Sequence, residues 1–162
     1  MTTGHFYFLD DQYFIDFPDE HLMSNKNSIN GVEHNRPCFY AFQDQTCDGI
    51  YWMIPLSSRV QKYQKIFNEK MRRFGRCDTI VFGDILGHKK VFLIQNMFPV
   101  IDKYIKNEYR SGPNNHPVQI NGVLEREILA KARRVLALQR NGKKLLFPDS
   151  LAIEDKLKKM LP

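Results

Sequence analysis

The apolar residues of this chain change their period at residue 59, and that change limits the folds open to it. Before it lie two short apolar and aromatic runs, residues 37–43 (PCFYAFQ) and 50–56 (IYWMIPL), separated by the turn-forming stretch 44–49 (DQTCDG). Ring and β-branched side chains bounded by turn residues read as strands, and their closeness in sequence predicts a hairpin. After it, Val60, Tyr63, Phe67, Met71 and Phe74 recur at spacings of 3, 4, 4 and 3, one face of a helix. Arg59, Lys62, Lys65, Arg72 and Arg73 fall on the opposite side, and Gly75 stands at the C-cap position. A chain that turns from strand to helix in this way belongs to a mixed class.

The remaining segments extend this pattern. Residues 5–10 form an aromatic strand candidate, and 77–83 (CDTIVFG) and 90–96 (KVFLIQN) read as a second hairpin across a link with two glycines. Segment 23–36, rich in Asn and Ser, reads as a loop of a length that tends to serve function. Residues 97–109 fit a short helix with Pro99 in its first turn, and 111–117 a loop. A long basic helix is expected over 122–140, with Leu124, Ile128, Ala132 and Val135 on one side and Asn141-Gly142 as its stop. Pro148-Asp149-Ser150 opens a C-terminal helix reaching to about Leu161. Strands come first and in hairpin order, so the expectation is one α+β domain over 1–162, with a largely antiparallel sheet and helices on one side or end.

Composition narrows the function classes. An apolar content of 43% suits a folded globule, no apolar run approaches the ~20 residues of a membrane span, and the N-terminus has no basic stretch leading an apolar one. Cys38, Cys47 and Cys77 give no disulfide framework and no CxxC pair, so the expected setting is cytoplasmic, without metal or other cofactor. The net charge of +6 is unevenly spread: residues 1–56 hold 8 acids and 2 bases, whereas residues 57–162 hold 22 bases and 10 acids. That asymmetry points to a polyanion-binding surface in the later part of the chain, although solvated lysine-rich helix faces produce the same count.

The segment best suited to chemistry is the strand-to-helix join at Ser57-Ser58-Arg59-Val60-Gln61-Lys62. Ser58-x-x-Gln61 matches a capping box, in which the serine accepts from first-turn amides and the glutamine reaches back. The same corner can seat a phosphate, because helix N-termini attract anions and Arg59 and Lys62 lie within one turn. Metal-free cleavage of RNA needs a base for the 2′-hydroxyl, donors for the phosphorane and an acid for the leaving 5′-oxygen. Ser, Arg, Lys and His can supply these. Upstream, Glu33-His34-Asn35-Arg36-Pro37 ends the long loop. If the strands at 37 and 50 are hairpin neighbours, His34 and Arg36 come to lie beside Ser57 and Ser58.

Arg36-Pro37 before an apolar strand, followed by a strand ending Pro55-Leu56-Ser57-Ser58 with a basic residue close by, resembles the ToxN/AbiQ family of type III toxin–antitoxin endoribonucleases. The runs IYWMIPLSSRVQKYQKI and GRCDTIVFGDILGHKKVFLIQNMFPV are most like its CptN branch, and the likeness covers nearly the whole chain. The resemblance implies a compact, strongly curved antiparallel sheet, a small barrel like that of the MazF, Kid and CcdB toxins, with added helices. It implies cleavage of RNA without metal, leaving 2′,3′-cyclic phosphate and 5′-hydroxyl ends. It implies as partner an antitoxin RNA of direct repeats, cut into pseudoknotted units that block the toxin in a closed protein–RNA complex, with cellular or phage RNA as substrate and phage defence as a role. By the same resemblance Ser58 is the activating or phosphate-contacting hydroxyl, Ser57 its neighbour, and Arg36 and Pro37 the element that opens the preceding strand. Members of the family that place proline and lysine straight after the serines differ from this chain, which has Arg59 and Val60 there. Lys62 and His34 therefore both stand as candidate bases, with Lys62 ranked first because it is anchored on the helix. Arg59, Lys65, Arg72, Arg73, Arg76, Lys89 and Lys90 are the expected RNA-binding cations.

Two other classes fit parts of the sequence. A non-catalytic RNA- or DNA-binding module would use the same basic segment, with rings such as Tyr51, Tyr63 and Tyr104 stacking on bases, although most of these rings fall in core-like patterns. A partner-binding protein would dock its acidic first third on a basic neighbour. A serine hydrolase and a P-loop or Rossmann enzyme are poor fits, because no G-x-S-x-G and neither glycine pattern occurs.

Overall fold

The computed structural model of the protein describes all residues from Met1 to Pro162. In chain order it contains β1 (Phe6–Leu9), α1 (Gln12–Asp16), β2 (Lys26–Ile29), β3 (Val32–Asn35), β4 (Cys38–Gln43), β5 (Tyr51–Ser57), α2 (Val60–Phe74), β6 (Ile80–Ile85), β7 (His88–Leu93), β8 (Phe98–Val100), β9 (Ile105–Glu108), β10 (Arg110–Ser111), β11 (His116–Pro117), α3 (Gly122–Arg140) and α4 (Ser150–Lys158). The class is α+β, and the main sheet is antiparallel with strand order β6-β7-β5-β4-β1-β9. Two further strands meet β5 along one edge: β8 pairs with Tyr51, Trp52 and Met53, and β7 with Leu56 and Ser57. The sheet therefore forks at β5. Its ends, β6 and β9, do not pair with each other, so the expected small barrel is not formed and the sheet stays open.

Side-chain alternation along β5 explains how the sheet is filled. Trp52 and Ile54 enter one core cluster with Phe6, Phe39, Phe92 and the buried face of α3, whereas Met53 enters another with Tyr7, Leu9, Tyr40, Phe98 and residues of α1 and α4. Helices thus cover both faces of the sheet, not one side as the sequence order implied. Strands buried on both faces read as continuous apolar runs, which is why 37–43 and 50–56 showed little polar alternation. In β4 the register slips between Tyr40 and Phe42, so that Ala41 and Phe42 both face the α3 side. An extra residue of this kind is a β-bulge, and it bends the strand locally. In α3, Leu124, Ile128, Ala132 and Val135 are buried, as the periodicity predicts. Cys38 and Cys77 are buried too, and desolvation raises the Cys38 thiol pKa to about 12 against the opposing pull of the Arg36 charge.

Three segments differ from the sequence expectation. Residues 97–109 hold no α-helix: Phe98–Val100 extend along the open edge of β5, with Pro99 opposite Trp52, and Ile105–Glu108 pair with β1. Pairing with waiting strand edges outweighs the weak helical period there, and a proline is tolerated on a three-residue strand. Segment 23–36 is no loop but a hairpin, β2–β3, with Asn30 at φ 51° and Gly31 at φ 77° at its tip. Residues 110–117 likewise contain the small β10–β11 ribbon. No helix is long and apolar enough to cross a membrane.

An ionic knot around two buried carboxylates joins the sheet to α3 and α4. The Asp44 carboxylate accepts from the Thr46 N–H and hydroxyl, from Trp52 Nε1 at 2.8 Å and from Arg140 at 2.6 Å. Arg140 also binds Glu154 at 2.7 Å, which Lys158 meets at 2.9 Å. Burial pushes the Asp44 pKa up, but these donors outweigh it and hold the carboxyl well below the usual carboxylate range.

Candidate active site

A cleft of about 950 Å³ opens where β5 ends. One wall is the β2–β3 hairpin with the Arg36-Pro37 lead into β4, and the other is the β6–β7 hairpin. The floor carries Leu56, Ser57 and Ser58. Sheet order explains the convergence: β5 lies between β4 and β7, so its C-terminal end is flanked by the start of one and the middle of the other. The β4–β5 register pairs Cys38 with Pro55, and the β5–β7 register pairs Ser57 with Val91. Carried one or two residues further, these registers bring Arg36 level with Ser57 and Lys90 level with Ser58.

The two serines have different surroundings. Ser57 is buried, and its Oγ accepts from the Arg59 N–H at 3.1 Å, holding the corner between strand and helix. Ser58 is exposed to the cleft and its Oγ accepts from Lys90 Nζ at 2.8 Å. The expected capping box is not formed: Arg59, not Ser58, occupies the N-cap position of α2, and no side chain caps it. Ser58 stands one residue too early to reach the first-turn amides, which leaves its hydroxyl free for Lys90.

Four cations line the cleft, Lys26, Arg36, Arg59 and Lys90, together with two histidines, His34 and His88, and no carboxylate. Lys26 has a partner outside it, Asp11 at 3.4 Å. Arg36 lines the cleft wall, while its Nε is buried behind it with no hydrogen-bond partner. A concave surface with several positive charges and no negative one concentrates anions, most strongly where the walls exclude water. Tyr63 and Tyr109 add aromatic surface to the lining.

The sequence candidates divide accordingly. His34, Arg36, Ser57, Ser58, Arg59 and Lys90 are brought together in the cleft. Lys62 is not among its lining residues: it is exposed on α2, with its ammonium over the Tyr63 ring at 5.3 Å. Its rank as first candidate base is therefore corrected in favour of His34. Lys65 lies exposed on α2 outside the cleft, and Arg72 and Arg73 sit near the far end of that helix, Arg72 paired with Glu69 and Arg73 over Phe74. Arg76 pairs with Asp78, and Lys89 lies over the Phe82 ring. These five lie outside the cleft lining. Sequence reasoning missed His88 and Lys26, whose approach depends on the two hairpins. The Asn30-Gly31 pair was the available signal for the first of these, since Asn-Gly is a strong marker of a two-residue hairpin turn.

No protein-family model and no curated protein matches the chain.

Proposed function

We propose that the protein is a metal-independent endoribonuclease toxin of the ToxN/AbiQ type, acting in the cytoplasm and cutting RNA to 2′,3′-cyclic phosphate and 5′-hydroxyl ends. The observation that carries this reading is the Ser58–Lys90 contact of 2.8 Å on the floor of a cleft lined by four cations and no acid. A phosphodiester seated at Ser58 meets the Lys90 ammonium directly, with the Arg36 charge in the cleft wall and Arg59 at the head of α2. Such donors, fixed before the reaction, stabilise the charge that grows on the equatorial oxygens. His34 takes the 2′-hydroxyl proton, the 2′-oxygen forms its bond to phosphorus, and the bond to the 5′-oxygen breaks. The resemblance stated above supplies the biological frame: an antitoxin RNA of repeated pseudoknots as partner and inhibitor, and cellular or phage RNA as target.

The deciding experiment incubates the purified chain with total RNA in the presence of EDTA and identifies the new ends. Cyclic phosphates upstream and 5′-hydroxyls downstream of each cut are expected. Ser58→Ala is expected to lose this activity by at least ~10²-fold while keeping its melting temperature and its RNA affinity. Intact RNA bound by the unaltered chain would instead identify a non-catalytic RNA-binding module using the same cleft.

A further inference from the structure

We propose that His88 is the group that returns a proton to the departing 5′-oxygen, so that one imidazole on each wall of the cleft divides the acid–base work. The inference rests on the nuclease reading and names a residue that reading did not use.

Cleavage by the neighbouring 2′-hydroxyl is an in-line displacement: the attacking and leaving oxygens lie on opposite sides of the phosphorus. A base and an acid acting in the same step must therefore approach from opposite directions, as two separate groups. The cleft supplies that arrangement. His34 lies in β3, on the side of β5 where β4 begins, and His88 is the first residue of β7, on the other side. Both line the cleft whose floor is Ser58.

His88 is also tied to the phosphate seat through its own strand. Residues two apart on a strand share a face and lie about 7 Å from one another, so His88 projects from β7 on the same side as Lys90, the residue that holds Ser58. Lys89, between them, turns to the other side and lies over Phe82. The turn before His88 fixes its position. Leu86 at φ 52° and Gly87 at φ 79° make a two-residue connection, and Ile85 pairs with His88 directly across it. Positive φ at both central residues matches the twist of the flanking strands and sets one register. The His88 side chain is exposed and makes no hydrogen bond or ion pair within the chain, so no structural duty competes with a proton-transfer role. In the step itself the P–O5′ bond breaks, the electron pair stays on the 5′-oxygen, and the His88 imidazolium gives up its proton to make the 5′-hydroxyl. The proton taken by His34 balances it, and water restores both histidines between turnovers.

The test compares two leaving groups at one mapped cleavage site: an RNA with the ordinary 5′-oxygen, and the same RNA with a bridging 5′-sulfur, which departs without needing a proton. With the oxygen substrate His88→Ala is expected to be slower than the unaltered chain by about 10²–10⁴-fold. With the sulfur substrate it should fall within about tenfold of the unaltered chain, while His34→Ala should be slow on both, as expected for general acid and general base roles. Thermal melting of each variant confirms that the fold is kept. Equal slowing of His88→Ala on both substrates, or no slowing on either, overturns the proposal. A failure of the unaltered chain to cut either RNA overturns the nuclease reading itself, before His88 is tested.

Discussion

Lys90 and Ser58 stand 32 positions apart in the sequence and 2.8 Å apart in space. Their contact exists because β7 runs antiparallel to β5 with Ser57 opposite Val91. Removing the ammonium while keeping the length of the side chain isolates its electrostatic contribution. Lys90→Met is expected to lower kcat for RNA cleavage by ~10²-fold or more, the usual effect of losing one fixed donor at a reacting phosphate. Stability should change by less than about 0.5 kcal/mol, since the bond is exposed to solvent. Single-turnover kinetics and a urea melt check the two halves of this expectation. At this scale the sequence disclosed Ser57, Ser58, Arg36 and His34 through a strand-to-helix corner and one hairpin. It did not disclose the Lys90 contact, which requires the register of a strand thirty residues away. It misranked Lys62, because a place in the first turn of a helix says nothing of whether that side chain meets the cleft or the neighbouring Tyr63 ring.

Elements carry a second set of constraints. Gly83, in the middle of β6, lies under α3: a methyl group built there would clash with Leu124 Cδ2 and meet Phe92 Cε2 at 3.2 Å. The Leu124 side chain is itself buried against the sheet and has little room to turn aside. Gly83→Ala is expected to destabilise the protein by about 1–3 kcal/mol through overpacking, with the loss read as a lower urea midpoint at unchanged slope. Most elements were legible in the sequence, α2 and α3 through their 3.6-residue period and β4 to β7 through their short apolar runs. The helix expected over 97–109 was wrong because the open edge of β5 decides that segment's conformation, and an edge is a property of the assembled sheet. The β2–β3 ribbon was missed for a different reason. Its strands are mostly exposed, so they lack the apolar alternation that marks a strand packed on a core.

At the scale of the whole molecule, the excess of bases is matched by a division of labour among charges. Arg140, itself partly exposed, ties together the buried carboxylates of Asp44 and Glu154 and fastens both helical layers to the sheet. Asp44→Asn weakens the acceptor for the buried Trp52 Nε1 and leaves Arg140 with Glu154 alone, and is expected to cost about 1–3 kcal/mol, measured by thermal or urea unfolding at neutral pH. The same carboxylate predicts a pH dependence. Its folded pKa is depressed, so its contribution is complete above the unfolded value of about 4 and disappears as pH falls through the folded one. The melting temperature of the unaltered chain should drop on acidification below about pH 4, and Asp44→Asn should lack that part of the drop. Charge asymmetry along the sequence drew attention to the cations of the later part of the chain but not to their arrangement. The acid-free cleft draws Lys26 and Arg36 from the acidic first third and leaves five of the expected cations outside its lining.

The fork in the sheet at β5 has a bearing on how the protein comes into being. This strand takes neighbours from three separate stretches of chain, the latest ending at Val100, and the lining of the cleft runs on to Tyr109. A chain still emerging from the ribosome therefore owns the serines and the arginine long before it owns the pocket that would put them to use. Any power this molecule has over RNA is withheld until about two-thirds of its length has been made and folded.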